Sequence, residues 1–435
     1  MNRMKHVLPL VALVSLLAFA QAQVTLRYSL WDGNQLPSYQ QCAVDFTAQT
    51  GINVEIEQLG WEDYWSNIQT GFVSGEAPDV FTNHLAKYPE FVALGQLTDI
   101  QPLVEAESLD TSIYIEGLAD LWIRDGERYG LPKDFDTIAI VFNKAALEAA
   151  GVTLEEINDM TWNSEDGGTF EEVIAKLTID ANGNNGLSPD FDKDNIAQYG
   201  FTNEFGSAGA YGQTEWSWLA VANGFSFNNG IWGDEYYYDD PQLAEVFDWF
   251  TSLWLEKGYS PDMAEQASLG RAGLFQSGTV AMVPDGSWMI GTYLGSNFEV
   301  GFAHLPAVAG QRKSMFNGLA DSIWVGTEHP EEAWAWVKYL ASPDCINVVG
   351  ASGVVFPSTE EGLSLSVGVR DEAGIDITAF TEQATMEGGT FLFPITDYGS
   401  EINTIMAETT QAIGLGQGSA TELLENANEE VNDLF

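Results

Sequence analysis

The chain has 435 residues, with 64 Asp or Glu against 16 Lys or Arg, a formal charge of −48. No basic patch of useful size exists, which makes nucleic acid a poor partner, and the field of the whole protein disfavours a highly anionic ligand. The acids are scattered through well-patterned apolar sequence, which argues against disorder and fits a solvated surface in a saline or acidic exterior.

Arg3 and Lys5 precede the apolar run Val7 to Ala20, and Ala20-Gln21-Ala22 forms an A-x-A site. Residues 1–22 therefore read as a secretory signal peptide cleaved after Ala22, with Ala20 as the alternative. The run is short for a bilayer span, and no cysteine at the junction offers a lipid anchor. The remaining stretch of about 410 residues is too long for one core, so two lobes are expected.

"VTLRYSLWDGN" is a strand with a polar exit, and "LPSYQQCAVDFTAQTG" a helix ending at Gly51 with Tyr39, Cys42, Ala43 and Phe46 on its inner stripe. "INVEIEQLG", "WEDYWSNIQTGFVSG" and "APDVFTNH" continue as strand, helix and strand. This order implies a mainly parallel sheet covered on both faces, with ligands beyond the carboxyl ends of its strands. In "LPKDFDTIAIVFNK", Ile138 to Phe142 read as a buried strand and "KAALEAAG" as a helix ending at Gly151. The charged lead-in Pro132 to Asp136 is open between a mobile surface loop and a passage between lobes.

A second region changes texture. "GAYGQTEWSWLAVANGFSFNNGIWGDEYYYDD" is dense in Trp, Tyr, Gly and Asn, and "PQLAEVFDWFTSLWLEKG" is an amphipathic helix opened by Pro241. "GRAGLFQSGTVAMVPDGSWMIGTY" reads helix, strand, turn, helix; a strand pair, a helix pair and a helical end from about Ser400 follow. With no low-complexity linker between them, the lobes are expected to be joined by more than one crossing.

The sequence has no phosphate loop, no G-x-S-x-G elbow and no H-E-x-x-H helix, and His84, His304 and His329 lack ligand spacing. A carboxylate pair for glycoside hydrolysis stays open because Asp and Glu are everywhere. Aromatic residues at strand ends and glycine-rich turns carry more: Trp31, Trp61, Tyr211, Trp216, Trp232, Trp288 and Tyr398. Such rings suit the apolar face of a pyranose, and neighbouring Asn, Asp and Glu suit its hydroxyls. Trp249, Trp254, Trp334 and Trp336 sit in helical runs and read as core. In "DANGNNGLSPDFDKD", Asp180, Asn182 and Asn184 take alternating oxygen positions of a calcium loop, Gly186 offers a carbonyl, and Asp190 or Asp192 closes the shell. Asn185 stands where that loop needs glycine and Phe191 where it needs Glu, so a plain Asn/Gly turn is the competing reading. No cofactor is required by anything else in the sequence. The two cysteines, Cys42 and Cys345, suggest one disulfide in an exported chain.

In this order, "FTAQTGINVEIEQLGWEDYW", "SGEAPDVF", "YGLPKDFDTIAIVFNKAALEAAGV", "TWNSEDGGTFEEVI", "FQSGTVAMVPDGSWMIG" and "HPEEAWAWVKYLASPDCINVVGASGVVFPS" resemble the extracellular solute-binding proteins of carbohydrate ABC importers, of the maltose-binding-protein class. The resemblance covers nearly the whole mature chain. It implies an α/β, two-lobed periplasmic-binding-protein fold with three inter-lobe crossings and a ligand cleft. The crossings would lie at Lys133 to Thr137, near Leu305 to Gly310 and near Gly350 to Phe356. Lobe 1 would combine residues 23–134 and 306–352, and lobe 2 residues 135–305 and 353–435. Cys42 and Cys345 then share lobe 1, which makes their disulfide feasible.

The resemblance also implies cleft residues: Trp31, Asn34, Trp61, Asn83 and His84 from the first strands and helices, Asp136 in the first crossing, and Asp285 and Trp288 in the "DGSW" turn. Asn317 and Asp321 follow the second crossing; Tyr398 lies near a late aromatic platform, and Trp216 and Trp232 come from the variable part. The expected function is sugar binding by a monomer and, after lobe closure, delivery to the transmembrane permease of an ABC importer. A secreted polysaccharide-acting enzyme and a binder of a non-sugar solute are the alternatives.

Overall fold

Alternation and glycine stops build the first sheet. The computed structural model describes residues 23–207 and 209–435, so the expected signal peptide lies outside the described residues. Strands β1 (Thr25–Leu30), β2 (Asn53–Gln58) and β3 (Val80–His84) run parallel. Helices Leu36–Thr50 and Trp61–Ser74 connect them, and each stops at a left-handed glycine, Gly51 or Gly75, whose N–H caps the last turn. The first helix buries Tyr39, Cys42, Ala43 and Phe46, the stripe expected from its period.

The other strands of the two sheets are β4 (Leu131–Asp136), β5 (Ile138–Asn143), β6 (Ile179–Asp180), β7 (Ile196–Phe201), β8 (Val280–Gly286), β9 (Val300–Ala303), β10 (Ser314–Ile323), β11 (Phe356–Pro357) and β12 (Thr390–Leu392). The seven-stranded sheet has the order β11-β4-β10-β3-β1-β2, with β12 beside the start of β10. The five-stranded sheet has the order β9-β5-β8-β7-β6. Adjacent strands β4 and β5 belong to different sheets, so the chain passes between lobes at Thr137 alone.

The charged stretch before Thr137 is neither a mobile loop nor a loose crossing. It is the interior strand β4, and all six of its residues are buried. Lys133 tolerates burial because its ammonium donates to Tyr28 Oη (3.1 Å) and Thr82 Oγ1 (2.9 Å), and lies 3.6 Å from Asp321 and 4.0 Å from the Tyr39 ring centre.

Strand pairing brackets the other two passages. Ala307–Val308 pair with Thr161–Trp162, whereas Asn317–Asp321 pair with β4, so the second passage lies between Val308 and Asn317, overlapping the end of the expected Leu305 to Gly310. Phe356–Pro357 pair with β4, and helix Glu360–Glu372 packs on helix Pro343–Ser352, where Gly350 and Gly362 meet. Lobe 1 therefore runs past residue 352, because its sheet takes its edge strand from there.

Tyr28, Phe46 and Trp336 centre one cluster of lobe 1; Tyr64, Trp65, Phe81 and Trp122 centre another. Phe170, Phe201, Phe247, Trp249 and Phe250 fill lobe 2. Of the tryptophans read as core, Trp249, Trp334 and Trp336 are buried, and the half-buried Trp254 donates its N–H to Gly414 O. Cys42 and Cys345 form a disulfide (Cα–Cα 5.4 Å) that pins the first helix to helix Pro343–Ser352. Among the described residues no helix is long and apolar enough to cross a membrane.

Candidate binding cleft

The one-residue passage between β4 and β5 creates a polar node. Asp136 ends β4, and its carboxylate accepts from Asn317 Nδ2 (3.2 Å) in β10 and from Ser287 Oγ (3.5 Å) in the turn after β8. The Ser287 N–H donates to Thr137 O, which sets the next residue, Trp288, beside the passage. Trp288 is half-buried and packs against the cores of both lobes. Its ring lies across Gly286, where a Cβ would stand 1.9 Å from a ring carbon; glycine is required there by space.

Asp136 is only 5% exposed, and among the described residues no cation pairs with it. Burial pushes its carboxyl up to about 7, opposed by the Asn317 hydrogen bond and reinforced by Asp32. Asp134, two residues back on β4, is fully buried, neither carboxylate oxygen has a hydrogen-bond partner among the described residues, and burial raises its pKa well above the usual range. The Oδ1 of Asn317 is likewise buried without a donor.

A second group lies at the ends of β1 and β3. Trp31 meets Trp61 edge-on (centroids 5.1 Å), and Trp61 meets His84 at 5.5 Å. Phe393 continues the row, 5.4 Å from His84 and 5.5 Å from Tyr211. Burial, with Lys87 nearby, lowers His84 to about 3, and its Nδ1 accepts the Ala86 N–H. It is a neutral aromatic, not a cation. Trp61 is 41% exposed, an indole face left in solvent at a strand end.

The other expected residues are placed less favourably. Asp285 is buried and receives Arg271 Nε (3.2 Å), Tyr293 Oη and the Gly286 N–H. Burial alone would weaken the Arg271 cation, but Asp285, Glu215 and Glu204 raise its pKa. Asp321 is taken up by Tyr28, Thr82 and Lys133. Asn83 donates to Ser322 Oγ and accepts the His84 N–H, and Asn34 is exposed in the turn after β1.

Trp216, expected in the cleft, lies in the core instead. It is fully buried among Phe225, Phe227 and Phe247, because the glycine-rich loop folds inward over lobe 2. Trp232 and Tyr398 do come together, but with Arg124, Asp397 and Phe435 around a cavity of ≈ 280 Å³ that includes none of Trp61, Asp136 or Trp288. A second cavity, of ≈ 210 Å³, also excludes them. The Asp136 node is marked by its chemistry, not by volume.

In the loop read for calcium, two of the expected ligands are already hydrogen-bonded within the protein. Asp180 accepts the Asn182, Asn184 and Asp192 N–H groups and the Asn184 amide, while Gly186 O accepts Tyr259 Oη. Among the described residues no three His, Cys, Asp or Glu side chains gather to hold a metal. Ser287, Asp134 and Lys133 were not among the expected site residues. The i, i+2 spacing of Asp134 and Asp136 was the available signal, since it puts both on one face of an extended strand.

Residues 32–344 match the family model for bacterial extracellular solute-binding proteins. The chain belongs to that family. It is 24% identical over 309 residues to the maltodextrin-binding protein MdxE of Bacillus subtilis, covering 68% of this chain and 64% of that protein. It is 22% identical over 348 residues to a maltotriose-binding protein of Pyrococcus abyssi, covering 76% and 65%. The match thus spans just under two thirds of each relative. Among solved structures it is similar to the ABC substrate-binding protein Lmo0181 of Listeria monocytogenes in complex with cycloalternan (TM-score 0.80, 20% identity, 95% of this chain and 99% of that one). The GacH receptor of Streptomyces glaucescens is also similar (TM-score 0.77, 17% identity, 95% and 98%). These likenesses show the two-lobed binding-protein fold.

Proposed function

We propose that this solute-binding protein captures a di- or oligosaccharide outside the cytoplasmic membrane and delivers it, by lobe closure, to the permease of an ABC importer. The observation that carries the reading is the node at the passage. A buried carboxylate and amide from lobe 1 stand beside an indole from lobe 2, with Asn317 Oδ1 lacking a donor. Sugar hydroxyls donate to such oxygens and a pyranose face packs on such a ring. The named ligands of the relatives, maltodextrin and maltotriose, are of this class. Ligand that touches both lobes selects the closed state, which is binding without turnover. Export by a signal peptide over residues 1–22 and action as a monomer belong to the same proposal.

A thermal-shift screen of the mature protein against mono-, di- and oligosaccharides tests it. A ligand that binds only the native state raises the melting temperature. A rise with one sugar, recovered unchanged, supports the reading. No rise in ligand-free protein refutes the sugar, and consumption of the sugar refutes binding without turnover.

A further inference from the structure

We propose that the solute carries a protonated amine, received at the Asp136 node by carboxylates that the fold leaves without a cation. The described residues bury six carboxylates: Asp134, Asp136, Asp180, Glu215, Asp285 and Asp321. Four of them are met from within. Lys133 lies 3.6 Å from Asp321, and Arg271 lies 3.2 Å from Asp285 and 3.4 Å from Glu215. Asp180 accepts backbone N–H groups from Asn182, Asn184 and Asp192 and the Asn184 amide. Asp134 and Asp136, two residues apart on one face of β4, are the exceptions. Among the described residues no cation pairs with either, and Asp134 has no donor on either oxygen.

The neighbouring amides make the same demand. Asn317 gives its Nδ2 to Asp136 (3.2 Å), and Gln35 gives its Nε2 to Asp32 (2.9 Å). Asp32 is a half-buried carboxylate in the turn after β1, near enough for its charge to act on both Asp134 and Asp136. Asn317 is 2% exposed and Gln35 5%, yet Asn317 Oδ1 and Gln35 Oε1 have no donor among the described residues. Leaving a buried acceptor unmet is costly. With both oxygens of Asp134, these amides leave four buried atoms unmet, and all four are acceptors. A sugar hydroxyl both donates and accepts, whereas an ammonium has three donors and no acceptor. Burial holds both carboxyls above the usual range, a penalty that a bound cation removes. Among the described residues no three His, Cys, Asp or Glu side chains gather to hold a metal, so the matching cation is organic. Trp288 beside the passage offers an indole to the same charge, and the field of a chain at −48 draws cations in.

The inference deepens the proposed function and rests on it for the sugar, not for the charge. Titration calorimetry of the ligand-free mature protein compares glucosamine and its di- and trisaccharides with their N-acetyl and their neutral glucose counterparts; spermidine serves as the amine that is not a sugar. All are run in about 0.5 M NaCl, which screens the acidic surface far more than a buried pair. The amino sugars should bind about ten- to hundredfold more tightly than their counterparts, the worth of a hydrogen bond to a buried charge. In Asp136→Asn, checked by circular dichroism, that lead should fall below about threefold, the range left to surface charge. A neutral or N-acetyl sugar that binds as tightly as its amine overturns the inference and leaves the sugar reading standing. Spermidine bound where no sugar binds upholds the amine and refutes the sugar. A lead that survives Asp136→Asn puts the charge elsewhere and overturns the inference, as does a protein that binds none of the amines. If Asp136→Asn does not fold, Asp32→Asn decides.

Discussion

Asp136→Asn separates what the node costs from what it does. In the unfolded chain this carboxyl titrates near about 3.9; in the fold, burial moves it up to about 7, with Asn317 and Ser287 pulling it down and Asp32 pushing it up. The folded state therefore binds the proton more tightly than the unfolded one. Below about pH 4 both states hold the proton and burial carries no charge penalty. As pH rises from about 4 to 7 the unfolded state ionises first and stability drains away; above 7 the loss is complete. A shift of about three units corresponds to about 4 kcal/mol as a ceiling. Asn has no charge to bury and keeps a partner for Asn317. The variant should gain on the parent between pH 4.5 and pH 8, by up to that amount, in urea unfolding without sugar. Taking the difference between variant and parent cancels the titrating groups that Asp136 does not touch; Asp134, whose carboxyl the Asp136 charge helps to raise, moves with it. An equal difference at both pH values refutes the argument. The same variant should bind sugar more weakly, since the charged acceptor is gone.

Trp288→Ala should abolish tight sugar binding while circular dichroism stays native; an unchanged Kd in titration calorimetry would count against the node. Gly286→Ala should act through the same ring, because its Cβ would stand 1.9–2.3 Å from Trp288 carbons; affinity equal to the parent's would show that the ring need not lie there. Removing the Cys42–Cys345 bridge, which spans 303 residues, should lower the melting temperature, with a loop-entropy ceiling of about 5–6 kcal/mol; identical melting with and without reductant would contradict this. A chelator should leave melting unchanged, and a fall on chelation would restore calcium at Asp180.

Where local pattern and burial agree, the sequence was readable. The apolar run Ile138–Phe142 is a strand buried on both faces, and Gly51 and Gly151 end their helices in the left-handed region as expected. Strand β4 was not readable as a strand. "LPKDFD" looks solvated, and the groups that let Lys133 be buried, Thr82 and Tyr28, lie 51 and 105 residues away. Trp216 and Trp288 look alike in sequence, each at a polar, glycine-bearing turn. Only the phenylalanines that close over Trp216 distinguish them. The resemblance named Asp136 and Trp288, which the fold brings to one passage, but it carried no register for the late aromatic region, and Tyr398 lies apart from them.

The place of β10 has a consequence for how the chain comes into being. β10 separates β4 from β3 in the first sheet, yet it ends only at Ile323, whereas the five strands of the second sheet all lie within residues 138–303. At roughly 5–20 residues per second of synthesis, β1 to β4 exist for many seconds before the strand that joins them. The sheet that begins first is the one completed last, and long-range pairing of this kind is slow. Until then β3 and β4 present open edges, able to pair wrongly with other chains. A chain cut short before Ser314 holds every strand of the five-stranded sheet but lacks the strand that joins β3 to β4.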